Sequence, residues 1–147
     1  MSQENVELVQ SVIEASQRGE MDKVFAAYDP EIEWRIDELP TVAPDSEPVY
    51  HGHEGVRRFW RTWAESFETP NFQYEEFIDA GDTVVSILSQ RVRGRGSGIE
   101  LEWNSYAQNW TIKDGMIIRV EFFPERAQAL AAAGLPSSAR AKPGTEA

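Results

Sequence analysis

The sequence predicts an α+β domain: N-terminal helices and a highly bent antiparallel sheet built mainly from a meander of long strands. Two observations carry the fold class. Apolar residues recur mainly at helical spacing up to residue 67 and mainly at strand spacing from 72 to 123, and helices followed by a run of strands segregate into α+β folds. The chain has 147 residues, 41% of them hydrophobic, with five Trp, four Tyr and seven Phe. That is one domain's length and too many apolar side chains for a disordered chain. We read residues 1–135 as the domain and 136–147 as a disordered tail.

Residues 3–18 form the first expected helix, with Val6, Val9, Ile13 and Ser16 on one stripe and Leu8 and Val12 beside it. Ser2 can cap it and Gly19 can end it. A short helix follows near 20–28, with Val24, Phe25 and Tyr28 inward, and Asp29-Pro30 stops it. Residues 31–37 alternate, with Ile32, Trp34 and Ile36 on the buried face of a strand. Three prolines make 38–50 a loop. A third helix begins near Glu54, where Val56, Phe59, Trp60, Trp63 and Phe67 build one apolar stripe.

Strands are expected at 72–79, 83–93, 99–112 and 116–123, with turns at Gly81-Asp82 and Gly94–Gly98. Pro124 can open a last helix, which Gly134 ends. For the last hairpin we expect the three-residue loop Lys113-Asp114-Gly115. It sets Trp110 opposite Ile118, Gln108 opposite Val120 and Tyr106 opposite Phe122 on one inner face. The outer face then carries Ile117, Arg119 and Phe123, a half-apolar surface suited to a partner. Leu101 and Trp103 fall out of phase with Tyr106, so a bulge is expected at 103–105.

Composition excludes several functions. Fourteen basic against twenty-five acidic residues give a net charge of −11, which disfavours nucleic acid and anionic membranes as partners. There is no cysteine, so disulfide, thiolate-metal and Cys-nucleophile chemistry are absent. No run of apolar residues is long enough to span a bilayer, and the acidic first residues lack a signal peptide's pattern, so a cytoplasmic protein is expected. No cofactor motif is visible. Gly94–Gly98 lacks the phosphate-loop pattern, and Arg91 and Arg93 face Glu100 and Glu102 as cross-strand pairs in preference to forming an anion site.

Six residues on the inner faces are the candidate contacts for a small apolar molecule: Trp34, Trp60, Tyr106, Gln108, Trp110 and Phe122. Gln108 is the polar member, able to hydrogen-bond a ligand. For acid–base catalysis the candidates are Asp37, His51, His53 and Tyr106. His51-Gly-His53 has no third ligand at a supporting spacing, so no metal site is assigned.

The chain resembles the SnoaL-like, nuclear transport factor 2-like superfamily. The stretches that carry this are Gln17-Arg-Gly-Glu20, Tyr28-Asp-Pro-Glu-Ile-Glu-Trp34, Tyr50 to Trp60, Asp114-Gly115 with the strand to Phe123, and Ala129 to Leu135. The resemblance implies a cone with an internal pocket and homodimers through the outer sheet face. The fold it implies is a curved antiparallel sheet wrapped as a cone around the N-terminal helices, a cystatin-like α+β roll. The function it implies is either binding of a small apolar molecule in the pocket, isomerase, cyclase or dehydratase chemistry, or a non-catalytic interaction module. Laid on the family's ketosteroid isomerases, the oxyanion-hole Tyr falls on Val12, the base on Ile36 and the oxyanion-hole Asp on Gln108. A shift of one residue on the first strand brings the base to Asp37. An Asp that many relatives carry after the last strand is Pro124 here.

Overall fold

The computed structural model describes residues 2–38, 47–68 and 71–140. The elements in order are α1 (Ser2–Gln17), α2 (Met21–Ala27), β1 (Tyr28–Arg35), β2 (Val49–His51), α3 (Gly52–Ser66), β3 (Asn71–Ala80), β4 (Thr83–Arg93), β5 (Glu100–Lys113), β6 (Met116–Phe123) and α4 (Arg126–Ala132). Most of the expected 38–50 loop lies outside the described residues, but its last part pairs with β1 as the short strand β2. The expected tail over 141–147 also lies outside them. Residues 136–140 are described, and Ala139 packs on the cluster beneath α4.

The six strands form one sheet in the order β2-β1-β6-β5-β4-β3. It is mixed, which corrects the all-antiparallel expectation: β1 runs parallel to β6. The reason is connectivity. The chain crosses from β1 through β2, α3 and the β3–β5 meander before β6 returns beside it, so β6 is not joined to β1 by a hairpin.

Helices α1 to α3 fill the concave side. Val6, Val9, Val12 and Ile13 on α1 and Val56, Phe59 and Trp63 on α3 meet Trp34, Val84, Trp110 and Phe122 of the sheet in one core. The helix ends follow local chemistry. Gly19 is left-handed (φ 77°), and Glu20 N–H donates to the Ala15 carbonyl at 2.9 Å, the six-to-one bond of a Schellman turn. Pro124 does not open α4; Glu125 caps it in a capping box with Gln128.

The convex side carries a second cluster. Ile78, Val85, Ile87, Ala107 and Phe123 pack under Ala129 and Leu130 of α4. This explains the unbroken buried run Val84–Leu88 in β4: even positions face the core helices and odd ones face α4.

Bulges set which residues face inward. In β3 the register shifts between Tyr74 and Glu76; Glu75 is the extra residue, so Phe72, Tyr74 and Phe77 all turn inward and Ile78 outward. The bulge expected near 103–105 is present, because Leu88 pairs with Tyr106 but Gln90 pairs with Trp103.

The last hairpin departs from the expected register. Its loop is the two residues Asp114-Gly115, with φ 52° and 76°, and Lys113 pairs with Met116. Two left-handed central residues match the strands' twist in a type I′ turn. A bulge at Ile118 then moves the pairing by one, so Trp110 faces Val120 and Gln108 faces Phe122. Ile117 points into the main core at 0% exposure, contrary to its expected place on the outer face, while Ile118 is half-buried. Phe123 is on the outer side but covered by α4. Arg119 is exposed and pairs with Glu33 at 3.1 Å. The expected dimer patch of Ile117, Arg119 and Phe123 is therefore not an exposed apolar surface.

Candidate functional site

The cone is not filled. A cavity of about 440 Å³ lies between α1, α2, α3 and the inner faces of β1, β3 and β5. Its walls are apolar, built by Val12, Val24, Val56, Trp34, Trp60 and Trp110 among others. Ser16, Gln17 and Met21 also line it and are exposed, which places its mouth at the α1–α2 corner. The aromatic walls brace one another. Trp34 contacts Tyr28, Phe59, Trp60 and Phe122 with ring centroids 5.4–6.1 Å apart. Such tilted and edge-on contacts suit the ring quadrupoles.

One region of the wall is polar. Tyr28, Tyr74 and Gln108 line the cavity together. The Tyr74 hydroxyl donates to Gln108 Oε1 at 3.1 Å, and the buried Ser86 hydroxyl donates to the same oxygen at 3.0 Å. Trp110 Nε1–H donates to Ser86 Oγ at 2.9 Å. Gln108 is 4% exposed, and with both hydroxyls on its oxygen the amide nitrogen is the part of the side chain left for a ligand.

The electrostatics are those of a neutral site. Burial pushes the Tyr28 and Tyr74 phenols well above their ordinary range, so both stay protonated at any physiological pH. Tyr74 as a residue is half-buried, but its hydroxyl lies against Gln108. No Asp, Glu, His, Lys or Arg is among the described lining residues.

The expected site residues separate into two groups. Trp34, Trp60, Gln108 and Trp110 come together around the cavity. Tyr106 and Phe122 are buried beside it without lining it. Tyr106 donates to Gln90 Oε1 at 2.6 Å, and Phe122 packs against Trp34 and Phe59. The acid–base candidates lie elsewhere. Asp37 is exposed and accepts from Arg35 Nη2 at 3.2 Å. His51 is exposed at the start of α3. His53 Nε2–H donates to the Tyr28 carbonyl at 2.9 Å; a carbonyl only accepts, so this nitrogen carries the proton. Among the described residues no three His, Asp or Glu side chains are grouped as a metal would need. Val12 and Ile36, onto which the resemblance laid the isomerase Tyr and base, are an apolar wall residue and a buried apolar residue.

Sequence reasoning missed Tyr74 and Ser86. Each had a visible signal. Tyr74 shares strand parity with Phe72, and Ser86 is a small polar residue between Val84 and Leu88 on one apolar face.

The fold and the cavity define an α+β cone with an internal small-molecule-sized chamber. The chain belongs to the SnoaL-like domain family, whose sequence model matches residues 9–120. No curated protein matches it in sequence. Among solved structures it is similar to an NTF2-like protein of unknown function from Burkholderia pseudomallei, with TM-score 0.70 and 23% identity over 89% of this chain and 97% of that one. It is also similar to TerC co-crystallised with polyporic acid, with TM-score 0.70 and 21% identity over 81% and 89%. A third is a Mycobacterium tuberculosis protein in complex with estradiol-17β-hemisuccinate, with TM-score 0.66 and 17% identity over 84% and 94%. At these identities the likeness is one of fold. No described helix is long and apolar enough to cross a membrane.

Proposed function

We propose that this protein binds a small, largely apolar molecule inside the cone, holding its one polar end against Tyr28, Tyr74 and Gln108. The observation that carries this is the cavity itself: about 440 Å³, walled by aromatic and aliphatic side chains, with polar groups converging on one part. Two proteins of the same fold were solved with small organic molecules, polyporic acid and estradiol-17β-hemisuccinate. The ionisable groups on the described wall are two phenols held neutral. This favours binding over the isomerase type of proton transfer, which needs a carboxylate base near the substrate.

A thermal-shift screen against steroids, aromatic polyketide-like compounds and terpenoids tests the reading. A ligand present at about a hundredfold its Kd raises Tm by on the order of 5–10 °C. A screen in which no compound stabilises the protein contradicts it.

A further inference from the structure

The polar part of the cavity adjoins a hydrogen-bond chain that runs from Trp110 through Ser86 to Gln108. It starts at Trp110 Nε1–H, which can only donate, and Ser86 Oγ accepts from it at 2.9 Å. The Ser86 hydroxyl proton then has two acceptors within reach. One is Gln108 Oε1 at 3.0 Å; the other is the Gln108 backbone carbonyl at 3.5 Å. The shorter contact wins, because hydroxyl hydrogen bonds centre near 2.7–2.8 Å and weaken with length. In the structure the side-chain atom facing Ser86 is the amide oxygen. That same oxygen accepts the Tyr74 hydroxyl at 3.1 Å, so two donors hold one end of the carboxamide. The other end, the NH₂ group, makes no hydrogen bond to a described residue.

We propose that Ser86 sets the polarity of the cavity. It holds the Gln108 carboxamide with its oxygen turned away and its NH₂ presented to the ligand, so the site selects a molecule ending in an acceptor, such as a ketone or quinone carbonyl, over one ending in a donor. This rests on the reading of the cavity as a ligand site. Ser86 is fully buried and does not line the cavity; it is a positioning residue acting through Gln108. Without its hydroxyl the amide keeps only Tyr74 as a partner. A phenol can donate to the oxygen or accept from the nitrogen, so both amide orientations become available and the preference for an acceptor is lost.

The experiment compares two tricyclic probes of one shape: 9-fluorenone, whose polar group only accepts, and carbazole, whose polar group only donates. Their affinities are measured by calorimetry on the wild type, Ser86→Ala and Ser86→Thr. The carbonyl stretch of ¹³C-labelled fluorenone is followed by infrared spectroscopy on the wild type. The wild type is expected to favour fluorenone by about tenfold, the gain from one well-placed hydrogen bond, with the bound carbonyl stretch shifted to lower frequency. Ser86→Ala is expected to bring the two affinities within about twofold, and Ser86→Thr, which keeps the hydroxyl, to retain the preference. An unchanged preference in Ser86→Ala, or an unshifted carbonyl in the wild type, overturns the role of Ser86 while leaving the binding site standing. Binding of neither probe to the wild type overturns the binding-site reading and this inference with it. The infrared readout needs no variant and stands if Ser86→Ala fails to fold.

Discussion

Gln108 and the Tyr74 and Ser86 hydroxyls on its oxygen are where chemistry and fold meet. Replacing Gln108 by Leu keeps the volume roughly but leaves the Tyr74 and Ser86 hydroxyls without their acceptor. Stability is expected to fall by about 1–3 kcal/mol in urea denaturation, the cost of stranding buried polar groups. Ligand affinity is expected to fall in parallel. The buried phenols of Tyr28, Tyr74 and Tyr106 add a pH dependence, since burial raises all three. A tyrosine raised in the folded state contributes its full stability below the unfolded value of about 10. Above that, the unfolded chain loses protons that the folded one keeps, so stability falls by up to roughly 1.4 kcal/mol per pH unit per tyrosine. Urea denaturation between pH 9 and 11 is expected to show this decline, and Tyr106→Phe to make it shallower; equal slopes contradict it. At this scale the sequence was readable where alternation sufficed, as for Trp34, Gln108 and Trp110. It was not readable for Asp37, His51 and His53. Residue type and the family resemblance nominated them, and Arg35, solvent and the Tyr28 carbonyl receive them instead.

At the scale of elements, bulges decide what faces the cavity. Helix stripes and the alternation of β1 follow from periodicity, which is why most boundaries were legible. A bulge shifts parity by one residue without changing composition, so the inward turn of Ile117 and the outward turn of Ile78 required the register of the neighbouring strand. The parallel pairing of β1 with β6 is equally non-local. Helix α4 works on the other side of the sheet, where it covers a convex face that would otherwise be apolar and exposed. Leu130 is fully buried there, and Leu130→Ala is expected to cost about 2–5 kcal/mol, measured by chemical denaturation. Arg126 holds α4 to the sheet. Its Nη2 donates to both Glu76 carboxylate oxygens, at 3.0 and 3.1 Å, and it also reaches the Ala139 carbonyl at 2.6 Å. Arg126→Ala is expected to speed amide exchange over residues 126–139 while leaving ligand affinity unchanged. Unchanged exchange there contradicts the clamp.

Across the whole molecule, the aromatic residues matter more than the net charge of −11. Most of the surface arginines pair with acidic side chains. Arg91–Glu102 and Arg93–Glu100 cross the β4–β5 hairpin at 3.1 Å each, as the sequence suggested, and exposed pairs of this kind add little stability. The aromatic side chains instead brace the cone around a space they do not fill. That space is the central claim, and titration of the intrinsic tryptophan fluorescence with 9-fluorenone and with fluorene, its carbonyl-free analogue, tests it most directly. Trp34, Trp60 and Trp110 line the cavity, so an occupant quenches them. The expected result is saturable one-to-one quenching by both. Fluorenone should bind with Kd of about 10–100 µM and roughly tenfold tighter than fluorene. Absence of saturable quenching by either compound would contradict the claim that this cavity is a binding site.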